Sequence, residues 1–312
     1  MASTKEISRR IKSISSTKKI TKAMEMVAAA KMRKAIEAVL KTRTYANLSW
    51  ELVLRLAENA ENNSHISHPL LTPRTEIKKV AIILITSNRG MCGAYNAAII
   101  NKVKESINRH QVETEFILVG KKGNAIYNQD YKVAAEFDKS DLLNDSKEIF
   151  PIINLVIADY LAGKYDKILV AYTDFINPAK QIPRVKQLLP LEFKKSDTYL
   201  GLVGQDPKVG VTPELIDIKS KKHLNGSEYT FEPNPEEVLE LIIPRLLEIQ
   251  LLQAFLEANA SEHSSRMTAM HQATEAASDM ENELTLFYNK ARQASITSEI
   301  AEISAGANAL AE

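Results

Sequence analysis

The segment Asn88-Arg-Gly-Met-Cys-Gly-Ala-Tyr-Asn96 holds two glycines and lies between an apolar run, Val80 to Ile85, and a helix-forming one. A turn in that position offers free backbone N–H groups at a helix N-terminus, which is the chemistry that binds phosphate. Gly90 and Gly93 do not make GxGxxG, and no Gly-Lys-Ser/Thr follows them. A tight strand-to-helix turn is therefore the better reading, with nucleotide binding as the alternative. Cys92, the only cysteine, lies in this turn. Near a helix N-terminus its thiolate would be reactive; the plainer reading is a small, semi-buried side chain. One cysteine excludes an internal disulfide and a Cys-only zinc site, and it fits a reducing compartment.

The remaining chemistry-bearing residues are sparse. His65, His68, His110, His223, His263 and His271 show no HExxH spacing, which would put two ligands and a base on one helical face. His65 and His68 flank Pro69 and mark a helix end rather than a metal site. No GxSxG, no Cys–His pairing and no isolated carboxylate pair in an apolar setting occurs. The reading is a chain with no catalytic residue, no metal site and no cofactor.

Glycine and proline punctuate the elements that would position these residues. Neither occurs before Pro69, and beyond Pro235 there are only Pro244 and Gly306. The chain thus reads as an N-terminal helix over 1–68, a central domain over 69–232 and a C-terminal helix over 233–312. In the C-terminal helix, Met270, Ala273, Ala277, Met280, Leu284, Phe287, Ala291 and Ala294 follow steps of three and four, a coiled-coil seam. Continued backwards, this frame meets Arg266, His263 and Asn259 before Leu256, Leu252, Ile249, Arg245 and Ile242. The N-terminal helix shows the same alternation: Ile7, Ile11 and Ile14, then Lys18, Thr21 and Glu25, then Ala28, Met32, Ala35 and Val39. Both seams have apolar ends and a polar middle, and two such helices most simply form an antiparallel intramolecular coiled coil.

The centre alternates β-rich and helical runs. Val80 to Thr86, Phe116 to Val119, Val133 to Phe137, Lys167 to Thr173 and Ile182 to Leu189 read as strands; helices are expected near 96–109, 124 and 148–162. This alternation predicts a mostly parallel sheet. The fold class is therefore α/β: a long antiparallel coiled coil plus a central, mostly parallel-sheet domain. A Gly/Pro-bearing stretch at about 194–228 reads as an insert.

Formal net charge is +1, but the ends differ. Residues 1–43 hold twelve Lys/Arg against three Glu, and residues 236–312 hold four against thirteen acidic ones. Such polarity favours pairing of the two segments. A basic helix also suits nucleic acid or an anionic membrane surface, yet no aromatic side chain for base stacking precedes Tyr45. A solvated or self-neutralised face is the preferred reading, with no nucleic acid partner. The longest apolar run, Val80 to Ile85, falls far short of the ~20 residues of a membrane span, so no direct membrane insertion is expected. The basic, Ser-rich first 25 residues carry Glu6 and Glu25 and lack a cleavage pattern, so they read as mature protein.

Three segments in this order carry a further signal: Lys19-Ile-Thr-Lys-Ala-Met-Glu-Met-Val-Ala-Ala-Ala-Lys-Met-Arg33, Arg89-Gly-Met-Cys-Gly-Ala-Tyr-Asn96, and Arg266-Met-Thr-Ala-Met270 with Leu284 to Glu299. Together they resemble the gamma subunits of F-type ATP synthases over essentially the whole chain. The resemblance implies a non-catalytic rotor shaft. Its antiparallel coil would sit in a ring of three alpha and three beta subunits and its α/β foot on the membrane c-ring beside the epsilon subunit. It further implies a peripheral membrane protein on the cytoplasmic face of a bacterial inner membrane, or on a thylakoid or other energy-transducing membrane. By resemblance, Arg33 and Lys34, with Lys31, would face acidic loops on beta; Arg292 and Gln293, with Thr297 and Glu299, match a catch for a beta loop. Met24 and Arg266 match the region where shaft and beta lever communicate. Ile300, Ile303 and Leu310 would form an apolar bearing tip, and Tyr229, Phe231 and Glu232 would contact the c-ring and epsilon. The polar interruptions of both seams would give weak, screened contacts to a bearing. The insert sits where chloroplast relatives carry a cysteine pair; this chain has none there, so thiol control is not expected.

Overall fold

The computed structural model describes residues 4–62, 68–129, 131–140, 148–191 and 235–311. The chain forms α1 (Thr4–Asn62), β1 (Lys79–Ile85), α2 (Tyr95–His110), β2 (Glu113–Val119), a 3-10 helix (Lys121–Gln129) and β3 (Lys132–Phe137). It continues with α3 (Phe150–Leu161), β4 (Lys167–Asn177), β5 (Lys180–Leu189) and α4 (Pro235–Ala311). Two compact units result, one of residues 29–265 and one of residues 1–28 with 266–312. The insert at 194–228 and the residues Tyr229, Phe231 and Glu232 lie outside the described residues.

In the larger unit the five strands order as β3-β2-β1-β4-β5. β1 pairs in parallel with β2 and with β4, and β2 in parallel with β3; only β4–β5 is antiparallel, so the sheet is mixed and mostly parallel. β1 is buried along almost its whole length, as an apolar run flanked by two parallel neighbours must be. Its residues alternate between two cores. Ile82 and Leu84 pack with Ile99 and Val103 of α2 and with Phe116. Ala81, Ile83 and Ile85 belong to the other core, with Ile152, Ile153 and Val156 of α3 and with Ile243, Leu246, Leu247 and Phe255 of α4. β5 closes one edge, and Pro183 falls in it opposite Thr173, as suits a residue without an N–H to give to the next strand.

Asp166, just before β4, ties the approach to β1 into the sheet. Its carboxylate accepts the backbone N–H groups of Lys78 and Lys79 at 2.8 and 2.9 Å and a 3.1 Å bond from Arg74. The N–H of Lys79 is the foremost of the groups that hold this carboxyl below the usual carboxylate range. Arg74 also donates to the Tyr160 carbonyl at 2.8 Å. β1 and α3 are thereby stapled together through the Arg74–Asp166 ion pair.

In the smaller unit α1 and α4 run antiparallel: Lys18 meets Glu281 at 3.0 Å and Thr274 donates to Thr21 at 2.8 Å. The expected α1 frame holds, since Ile7, Ile11, Ile14, Lys18, Thr21, Glu25 and Ala28 all face inward. The α4 frame needs correction. Met270, Ala277, Leu284 and Ala291 face inward as expected, but Met280 and Phe287 are 55% and 50% exposed, and Ala294 is exposed as well. Glu281 and Tyr288 face inward in place of Met280 and Phe287, while Ala273, as expected, and Thr274 beside it are both half-buried. Steps of four-three and three-four share every other position, so hydrophobicity alone selects the wrong half when the facing helix supplies Lys18 and Thr21. The backward extension of that frame fails too, because residues 253–264 are buried around the whole helix and no stripe exists there.

Candidate interaction site

Open α/β sheets bind ligands at the carboxyl ends of their strands, where the strand order reverses; in this sheet that point lies between β1 and β4. The turn 88–96 sits there, and its polar groups are engaged with each other. Asn96 Oδ1 accepts the Ser87 N–H at 3.0 Å, and Asn96 Nδ2 donates to Ser87 Oγ at 2.7 Å and approaches Cys92 Sγ at 3.3 Å. Asn88 joins the ends of three strands: its amide donates to the Lys139 carbonyl beyond β3, and its oxygen accepts the Lys121 N–H beyond β2. Gly120, at φ +94, lets this knot close, since a Cβ there would lie 2.5 Å from the Thr86 carbonyl oxygen. Cys92 is buried in the knot, 2% exposed. The plainer readings of the turn and of the cysteine are the ones the geometry supports.

The crevice beside this turn is filled by α4 itself. Tyr95 donates its hydroxyl to the Ala258 carbonyl at 3.2 Å, and Asn259 donates to the Ser140 carbonyl at 3.2 Å. Ser261 donates to the Thr173 carbonyl at 3.0 Å, and Ser264 to that of Pro178 at 2.8 Å. Lys139 and Glu262 form a 2.6 Å ion pair whose side chains are 2% and 4% exposed. Also buried are Glu257 of α4 and Asp174 of β4, the latter 2.8 Å from Arg184 of β5. Burial and, after it, the charges of Glu257 and Asp174 push the Tyr172 hydroxyl well up. Contrary to the expectation that the polar break in the seam faces a bearing, the run 257–264 plugs the sheet's ligand crevice, and no space for a nucleotide remains where Asn259 to Glu262 sit. For Glu262 the only sequence signal is that polar break in α4, and a break does not say what fills it; Tyr95 lies in the turn segment singled out from sequence, and Lys139 carries no signal.

The candidate partner-binding residues occupy three places. Arg33 and Lys34 are exposed on α1 in the larger unit, while Met24 of the smaller unit is half-buried. Arg266 is half-buried, and Arg292, Gln293, Thr297 and Glu299 are exposed on α4, where Thr297 donates to the Gln293 carbonyl at 2.9 Å within the helix. Arg292 and Gln293 are brought side by side, whereas Met24 and Arg33 lie on the other helix, far from them in sequence. Ile300 and Ile303 are 62% and 73% exposed, and Leu310 falls in the last turns of α4. Also in the smaller unit, Lys18, Lys19, Lys22, Met26, His271 and Glu275 border an open groove of about 670 Å³ between the two helices. Arg9, Arg10, Lys12, Lys19 and Lys22 all point outward, so most of the α1 charge faces solvent rather than α4. Among the described residues no cluster of three or more His, Cys, Asp or Glu is placed to hold a metal ion, and no helix is long and apolar enough to cross a membrane.

These features define a class: an α/β domain that falls in sequence between two helices pairing antiparallel, with its ligand crevice closed by its own C-terminal helix. The chain belongs to the ATP synthase gamma-chain family. A family model described as ATP synthase matches residues 3–310. Curated gamma chains are similar over their full length: 38% identity with that of Flavobacterium johnsoniae, covering 99% of each chain, and 39% with that of Roseiflexus castenholzii, covering 100% of each. The gamma chain of Pelotomaculum thermopropionicum is 40% identical over 99% of this chain and 100% of its own. Among solved structures, a chain of the Euglena gracilis mitochondrial ATP synthase shares the fold at TM-score 0.62 and 19% identity, covering 98% of this chain and 94% of that one. A chain from the central stalk and c-ring of the Tetrahymena thermophila enzyme does so at 0.56 and 24%, covering 81% and 99%.

Proposed function

We propose that this chain is the central rotor shaft of an F-type ATP synthase, coupling rotation of an ion-driven c-ring to ATP synthesis or hydrolysis at sites on other subunits. The observation that carries the reading is this chain's antiparallel helical pair, which keeps polar side chains in its seam and turns Met280, Phe287 and most of its lysines outward. Outward apolar and basic groups on a helical pair are what a shaft offers to a surrounding ring. The partners are three alpha and three beta subunits around the pair, with epsilon and the c-ring at the α/β unit, and the chain itself is non-catalytic. Arg33 and Lys34 contact acidic loops of beta, Arg292 and Gln293 with Thr297 and Glu299 form the catch, and Met24 and Arg266 relay between shaft and beta lever. Ile300, Ile303 and Leu310 form the bearing tip; Tyr229, Phe231 and Glu232 meet the c-ring and epsilon. The protein is peripheral to an energy-transducing membrane, on the cytoplasmic face in a bacterium.

Reconstitution tests this reading. Mixed with alpha and beta subunits, the chain forms a complex with one copy per three of each, and ATP turns a probe fixed to its α/β unit. A chain that stays apart from alpha and beta, or a probe that stays still while ATP is hydrolysed, overturns it. Deleting Ser196 to Asn225 tests whether the insert brakes rotation; unchanged ATPase activity would remove that role.

A further inference from the structure

Within the α/β unit, α4 is held in two different ways. Its first turns pack through Leu239, Ile243, Leu246, Leu247 and Leu251, an apolar surface with no directional preference. The later turns are held by oriented polar contacts to the carboxyl edge of the sheet: Tyr95 to the Ala258 carbonyl, Ser261 to that of Thr173, Asn259 to that of Ser140, and the buried pair Lys139–Glu262. A hydrogen bond weakens steeply once it bends below about 120°, and advancing a helix by one residue turns its side chains by about 100°. Apolar ridges can creep past one another; these contacts cannot survive even a one-residue turn of α4 about its axis.

The ion pair sharpens the point. Lys139 reaches Glu262 at 2.6 Å, with both side chains nearly inaccessible to water, and its ammonium lies 5.7 Å from the centre of the Tyr95 ring. Replacing a buried pair by apolar side chains of similar volume is often neutral or stabilising, so stability alone does not account for it. A register-fixing role does. Lys139 lies beyond β3, Tyr95 at the head of α2 and Thr173 on β4, so the contacts grip α4 from three separate elements of the sheet unit.

Building on the shaft reading, we propose that Lys139, Glu262 and Tyr95 are positioning residues that lock α4 rotationally in the α/β unit. Torque delivered to that unit then enters the helix instead of being lost as slip in the crevice. α4 continues past Ser265 as one helix, so the contacts at 258–264 lie in the last turns of α4 that belong to the α/β unit.

The test uses the ATP synthase complex assembled with the full-length chain and a bead fixed to the exposed Asn124 on the α/β unit. Three variants are compared with wild type: Lys139→Met combined with Glu262→Met, Lys139→Arg, and Tyr95→Phe. The double apolar variant should assemble and hydrolyse ATP at the wild-type rate without load, yet stall at a torque lower by at least about twofold. Lys139→Arg, which keeps the pair, should stall at wild-type torque, and Tyr95→Phe should show a smaller fall. If the double variant does not assemble, Tyr95→Phe decides alone, because it removes one hydroxyl and leaves the ring in place. Wild-type stall torque in the double variant, or in Tyr95→Phe when that decides, overturns the lock and leaves the shaft reading intact. A bead that never turns on the wild-type complex overturns the shaft reading, and the lock with it.

Discussion

At the scale of single residues, two positions show how side chains or their absence set the sheet unit. Gly120 holds φ +94 with the Thr86 carbonyl where a Cβ would be. Gly120→Ala therefore meets both backbone strain, about 1 to 3 kcal/mol for a forced conformation, and a clash with a fixed peptide. A loss of at least about 2 kcal/mol is expected, read from the denaturant midpoint of the whole chain. Asp166 acts through charge. Its carboxyl is held below its ordinary value by the N–H of Lys79 first, then by Lys78 and Arg74. A depressed carboxyl stabilises the fold at pH values above about 4, the unfolded value, and that contribution is lost as pH falls through the folded value. Asp166→Asn should cost about 1.5 to 3 kcal/mol at pH 7, with the gap to wild type shrinking below about pH 4. Denaturation curves at neutral pH and at about pH 3 that show the same gap would contradict this.

At the scale of elements, the helical pair separates what sequence shows from what it hides. The α1 seam was legible because its apolar stretches, Ile7 to Ile14 and Ala28 to Val39, flank the polar one in a single uninterrupted frame. The α4 seam was half legible, since its choice between residues 280 and 281 depends on what faces it, and Lys18 faces Glu281. Strand positions were readable from β-branched runs, and the parallel order followed from helices between them. The crevice plug was not, because a buried Ser261 or Glu262 looks in sequence like any exposed helix residue. The corrected frame predicts opposite outcomes for neighbouring residues. Phe287→Ser should change stability by no more than about 0.5 kcal/mol, as for other surface sites. Leu284→Ser, which removes an inward apolar side chain, should cost about 1 to 2 kcal/mol. Circular dichroism melts of the full chain distinguish the two, and equal effects would restore the purely apolar frame. Lys18–Glu281, partly exposed at 36% and 25%, should show a small coupling in a double-mutant cycle that fades as salt is raised.

At the scale of the whole molecule, the division of labour is between contacts that hold the chain together and contacts that it leaves for others. The α/β unit turns its polar groups inward, in the Asn88 knot and the α4 plug, and so closes the place where related sheets take ligands. The helical pair does the reverse, leaving Arg292 and Gln293 exposed. Side chains of that kind can be changed without cost to the fold and matter only where a partner meets them. Arg292→Ala with Gln293→Ala should therefore leave the melting temperature of the chain within about a degree or two, by the small effect of surface substitutions. If Arg292 and Gln293 form the proposed catch, the same change in the assembled complex removes hydrogen bonds to beta, each about 1 kcal/mol. ATPase turnover should fall by about thirtyfold if two such bonds, together about 2 kcal/mol, form only during rotation, since about 1.4 kcal/mol corresponds to a factor of ten. Unchanged turnover would move the catch away from these two residues, whereas a lower melting temperature would mean that they serve the fold after all. The pairing of the two readouts is what makes the assignment decidable, because a shaft residue and a structural residue predict opposite combinations.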